Sequence, residues 1–178
     1  MSGNEPSSLD AALSRPEVAE VEPGHFCCSV WQNISILIWA DRATKEALGR
    51  IQRVTKRMIE RYPGGHSNVA FVLDGVPPPT PEAREIFTRL YNERISHLKC
   101  LAVILEGSGF WASTLRSSIT NMQLEAGRTT AIGQYTSIDE LAAWMAPIHT
   151  QRTGVAVTAL QLRVALKAAR TEGVPVRA

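Results

Sequence analysis

Three carboxylates, Asp41, Asp74 and Glu106, each follow an apolar run: ISILIWA, NVAFVL and CLAVIL. If those runs are neighbouring parallel strands, the acids stand at one rim of a sheet, where open α/β sheets take their ligands. Clustered carboxylates suit Mg²⁺ or acid–base work. Taken singly, acids before helices serve as caps and first-turn dipole partners. Glu106 leads into Gly107-Ser108-Gly109-Phe110-Trp111-Ala112, a G-x-G-x-x-A match to a dinucleotide fingerprint. It follows the fourth apolar run rather than the first strand–helix unit, and no acid ends the next strand, so a nucleotide is not the expected ligand. The same residues read as a tight turn with Ser108 as cap and Trp111 in the core. They also supply donors from Gly107, Ser108 and Gly109 at a helix start, beside Glu106 and Trp111, where an anion or small molecule could sit.

Thr80-Pro81-Glu82 reads as an N-cap, an N1 proline and an acid in the first helical turn. A phosphate on Thr80 would meet free N–H groups and the positive end of the helix dipole. A plain cap and a regulated hydroxyl fit the same residues. The four histidines, His25, His66, His97 and His149, lack metal-ligand spacing. Cys27, Cys28 and Cys100 form no C-x-x-C and no disulfide framework, and read as core thiols. There is no G-x-S-x-G elbow. No cofactor or metal is expected, and binding is expected rather than catalysis.

The 178 residues suffice for one ordinary domain. The net charge of +2 does not suggest a strongly basic nucleic-acid binder. The balance is uneven: residues 1–25 hold five acids and one Arg. Residues 43–62 carry a basic outer face, read as solvated, as meeting an acidic partner or nucleic acid, or as lying in loose contact with the chain's own acidic arm. No signal-peptide pattern opens the chain, and no apolar run approaches the roughly 20 residues that span a bilayer. A cytoplasmic location without membrane attachment is therefore expected.

The elements that must position these residues follow from periodicity. Residues 1–24 read as a flexible acidic arm, with at most a short helix at Leu9–Ser14. Phe26–Trp31 and Ile34–Trp39 read as strands joined by Gln32-Asn33, with Asn33 tolerating positive φ. Leu48, Ile51, Val54 and Met58 mark a helix over 43–62, capped by Asp41 or Thr44. Asn68–Leu73 is a third strand, followed by the stiff Pro77-Pro78-Pro79 and a helix from Thr80 to about Leu98. Cys100–Leu105 is a fourth strand, followed by a helix holding Trp111, Leu115, Ile119 and Met122. Thr129–Ile132 is a short strand. Ser137 and Glu140 form a capping box, as do Thr158 and Gln161, the latter opening a last helix to about Arg170. The expected fold is α/β: a mixed, mostly parallel sheet of about five strands with an N-terminal hairpin, about four covering helices and an added C-terminal helix. The domain is placed at 25–150 and the extension at 151–178.

The order of elements, with the stretches IWADRATKEAL, LDGVPPPTPEAR and LEGSGFWAS, resembles the STAS domain over roughly residues 26–148. This is the fold of anti-sigma factor antagonists and of the cytoplasmic domain of sulfate transporters, and the stretches are similar to STAS-like bacterial proteins. In the antagonists a phosphorylated Ser or Thr opens the helix after the third strand, where a kinase or anti-sigma partner docks. The resemblance places Asp74 and Gly75 in that loop and Thr80 at the phosphoacceptor position. This chain has Pro on both sides of Thr80 and no Asp-Ser-Ser-Gly. The implied function is a non-enzymatic regulatory or scaffolding module with a protein partner at Asp74, Gly75 and Thr80. The alternative is a small-molecule or anion site at the strand carboxyl ends, using Glu106, Gly107, Ser108, Gly109 and Trp111. The apolar C-terminal helix is expected to pack on the domain or to join copies into a homo-oligomer.

Overall fold

Ile34–Trp39 is buried at every position, so this strand must be covered on both faces and lie inside a sheet. The computed structural model describes residues 15–107, 113–117 and 130–173. In chain order these form β1 (Glu17–Glu22), β2 (Phe26–Trp31), β3 (Ile34–Trp39), α1 (Lys45–Arg61), β4 (His66–Val72), α2 (Pro81–Arg94), β5 (Leu98–Leu105), α3 (113–117), β6 (Ala131–Tyr135), α4 (Ile138–Thr153) and α5 (Ala159–Glu172). The sheet has six strands in sequence order. β1, β2 and β3 pair antiparallel, and β3 through β6 pair parallel.

The fold is α/β and mixed as the sequence predicts, but the sheet has six strands rather than five. The extra strand, β1, lies in the stretch expected to be a flexible arm. No residue of β1 is fully buried, and the half-buried Glu20 lies 4.0 Å from both Arg53 and Arg57 of α1. Arg50 also donates to the Val21 carbonyl at 3.2 Å. The basic face of α1 thus meets the acidic strand at Glu20 and at the Val21 carbonyl. The hairpin turn between β2 and β3 differs too: the positive φ, 52°, belongs to Gln32 and not to Asn33. Asn33 is held elsewhere, its Nδ2 donating to the Gly65 carbonyl at 3.1 Å and its own carbonyl accepting from Ser67 N at 3.0 Å.

Alternate residues of each strand serve two cores. Leu37 and Trp39 pack with Leu48, Ile51, Val54 and Met58 of α1 and with Ala83 and Leu90 of α2. Val103, Leu105 and Ile132 meet Tyr91, Ile95 and Leu115 on the same side. Ile34, Ile36, Ile38, Phe71 and Ile104 point the other way, onto Leu141 and Met145 of α4 and Leu162 and Leu166 of α5. Sequential parallel strands joined by same-handed crossovers put every crossover on one face. That face holds α1, α2 and α3. Helix α4 follows the last strand, crosses no sheet to reach another, and folds back over the open face, where α5 joins it.

The capping expectations can be checked against named atoms. Ser137 Oγ accepts from the backbone of Asp139 and Glu140. Thr158 and Gln161 form both halves of a capping box, with Val157 and Leu162 buried beside it. α5 therefore packs on the domain. Among the described residues no helix is long and apolar enough to cross a membrane. The expected helix at Leu9–Ser14 lies outside the described residues, as does most of the one expected around Trp111, Ile119 and Met122.

Candidate functional site

The strand ladders continue one step past β3, β4 and β5, which fixes where the rim loops begin. Asp41 N donates to the His25 carbonyl, Leu73 N to Trp39 and Glu106 N to Val72. The three rim carboxylates therefore do stand at the carboxyl ends of successive strands, but each has a local role. Asp41 Oδ1 accepts from Arg42 N at 2.7 Å. Asp74 is the second residue of a turn in which Val76 N donates to Leu73 O and Gly75 takes φ +77°, the value a type II turn needs at its third position. The Asp74 carboxyl lies against Gly107: a Cβ there would overlap Asp74 Oδ1. Glu106 is gripped by Arg170 of α5, with Nε–Oε1 at 2.7 Å and Nη2–Oε2 at 2.8 Å. That two-point bond is what holds the Arg170 guanidinium above its ordinary pKa. No group of three His, Cys, Asp or Glu side chains suited to a metal occurs among the described residues.

Thr80 caps α2: its Oγ1 accepts from Ala83 N at 3.1 Å, and Pro81 takes the first helical position. Its side chain is half-buried, and the loop from Asp74 to Pro79 leads into it. Beyond the cap, α2 is thinly packed. It buries only Ala83 and Leu90, and Phe87 stays 38% exposed with its ring 6.1 Å from that of Trp39. Of the second group of predicted residues, Glu106 and Gly107 lie on the rim beside Asp74, while Ser108, Gly109 and Trp111 lie outside the described residues.

On the α4–α5 side of the same rim the structure opens a cleft of about 400 Å³. Phe71 and Ile104, both nearly inaccessible, form its floor, with Ile138 at the start of α4. Glu106, Thr136, Asp139 and Lys167 complete the lining. Asp139 lies 3.8 Å from both Arg163 and Lys167 of α5. The sequence reading missed Asp139 and the α5 cations as site residues. The available signal was their spacing: 163, 167 and 170 fall on one helical stripe. Which way that stripe points depends on how α5 packs.

A second polar cluster lies deep at the opposite end of the sheet. Ser67 Oγ and His149 Nδ1 are 2.8 Å apart, the spacing of a nucleophile and its base. Both residues are fully buried, and Thr153 lies on the other ring nitrogen at 3.4 Å. Burial pushes the His149 pKa down to about 4. A substrate has no path to this pair, which instead ties α4 to β4. His66, on the other face, is pushed down to about 4 by burial and then by the nearby Arg94, His97 and Lys99. No known family model, curated protein or solved structure matches the chain.

Proposed function

We propose that the protein is a cytoplasmic, STAS-like, non-enzymatic interaction module that docks a protein partner on the rim around Gly75–Thr80 and on the outer face of α2. The observation that carries this reading is the thin packing of α2. A fourteen-residue helix that buries only two side chains contributes little to the core, while it presents Phe87 to solvent on a rigidly capped frame. Exposed aromatics on a fixed element make good anchors for a partner. The strand–helix order behind the STAS resemblance supports it as well. Thr80 would act as a switch only if phosphorylation displaced its hydroxyl from Ala83 N. The apolar outer residues of α5, Leu160 and Val164, are the surface on which copies would associate.

The test is native mass spectrometry of protein purified gently from its source, with intact mass under denaturing conditions. A partner retained by the wild type and lost by Phe87→Ser, at an unchanged melting temperature, supports the module. A phosphate mapped to Thr80 adds regulation to it. A bare monomer in both chains refutes it. The cleft favours a second reading, a small-molecule or anion-binding domain with its site at the strand carboxyl ends.

A further inference from the structure

Residues 76–81 are Val-Pro-Pro-Pro-Thr-Pro, and their backbone has little freedom. The ring fixes φ at about −65° in Pro77, Pro78, Pro79 and Pro81. A following proline pushes Val76, Pro77, Pro78 and Thr80 into the extended region as well. Thr80, at φ −61° and ψ 157°, has the polyproline II conformation. Both ends of the segment are pinned. Val76 N donates to Leu73 O at 3.3 Å, and Thr80 Oγ1 accepts from Ala83 N at 3.1 Å. Pro77, Pro78 and Pro79 have no N–H, so the backbone there presents carbonyls and no donors.

A polyproline II helix has three residues per turn, so every third residue shares an edge. Val76 and Pro79 share one edge: Val76 is buried and Pro79 half-buried. Pro78 and Pro81 share another, and both are exposed. The segment thus lies on the domain by one edge and turns a P-x-x-P pair to solvent, its two prolines about 9 Å apart. We propose that residues 76–81 are a preformed polyproline II ligand, read by a partner protein whose groove is lined with aromatic side chains. This rests on the first reading above and names the kind of partner. Flat aromatic faces cover the proline rings, and Tyr hydroxyl or Trp indole N–H groups donate to the carbonyls. Because the ends are pinned, little conformational entropy is left to lose on docking. A second copy of the chain does not fit the part, since Phe87 is the one exposed aromatic among the described residues.

The experiment is calorimetric titration of the full chain, and of the free peptide Val76–Ala83, into purified SH3 and WW domains, the two groove types used as probes. The full chain is expected to bind at least one domain as tightly as the peptide does, or up to about tenfold tighter, because its segment is already ordered. Pro78→Ala together with Pro81→Ala is expected to weaken the full chain at least about tenfold. Both prolines are exposed and Ala is accepted in the first helical turn, so this variant folds, which circular dichroism checks. A peptide that binds where the full chain does not shows the edge to be covered and overturns the proposal. No binding of either to any domain overturns it too, as does an affinity that the double variant leaves unchanged. A partner held in the native mass experiment, lost by Phe87→Ser but kept by the double proline variant, overturns the proline edge and leaves the α2 reading intact.

Discussion

The buried His149 makes the fold sensitive to acid in a calculable way. Its imidazole is fully buried between Ser67 and Thr153, and burial lowers its pKa from 6.5 to about 4. In the unfolded chain it takes a proton near pH 6.5, whereas in the folded chain it stays neutral until about pH 4. The depressed folded value means the stabilisation is complete above the unfolded pKa and is lost as pH falls from there toward the folded one. Linkage gives a loss of about 2 kcal/mol at pH 5 and about 3 kcal/mol at pH 4. At this chain length 2 kcal/mol lowers Tm by about 4–8 °C. His66 titrates over the same range, and carboxylates join near its lower end, so the wild-type curve alone does not isolate His149. His149→Gln does, because it cannot titrate. Urea unfolding followed by tryptophan fluorescence, at several pH values from 7.5 to 5, measures both chains. The variant is less stable at pH 7.5, and the gap is expected to narrow by about 2 kcal/mol at pH 5. A gap constant to within about 0.5 kcal/mol would mean that His149 is reached by water or proton in the folded state, and the reasoning fails.

Two further substitutions probe the rim and the cover. Gly107→Ala places a Cβ against Asp74 at a φ of +94°. It is expected to cost about 1–3 kcal/mol in urea unfolding, and a second change, Asp74→Ala, should recover the steric part but not the backbone part. No recovery would show that Asp74 does not pack on this glycine. Removing residues 158–178 uncovers the α4–α5 face and loses the burial of Leu162 and Leu166, each worth about 1.5–3 kcal/mol. The shortened chain is expected to melt far lower, and an equal Tm would refute the packed position of α5.

Where a residue's environment is decided locally, the sequence reads well. Thr80 and Thr158 act as caps because the N–H groups they accept lie three residues ahead. β3 reads as a central strand because every one of its residues is apolar or small and buried. β1 is the contrary case. Glu17-Val18-Ala19-Glu20-Val21-Glu22 reads as a solvated acidic arm, and no local rule makes it a strand. Backbone pairing with β2 does so, and Arg50, Arg53 and Arg57 of α1, which begins more than twenty residues later, lie against it. The contact of α1's basic face with the chain's own acidic segment is among the sequence's readings; that the segment is a strand is not.

The candidate site was half legible for the same physical reason. The rim carboxylates could be placed from strand ends alone, but what each one does is set by distant residues. Glu106 would be a free acid for catalysis or metal binding if α5 lay elsewhere; Arg170, 64 residues on, converts it into half of an ion pair. Ser67 would be a plain strand serine without His149, 82 residues on. The C-terminal helix therefore decides the chemistry of this rim as well as covering the sheet. It neutralises one carboxylate, shares a second, and leaves Lys167 facing a cleft with an apolar floor. A chain lacking α5 would leave Glu106 and Asp139 without the cations that meet them, so the charge of this rim depends on α5 staying docked.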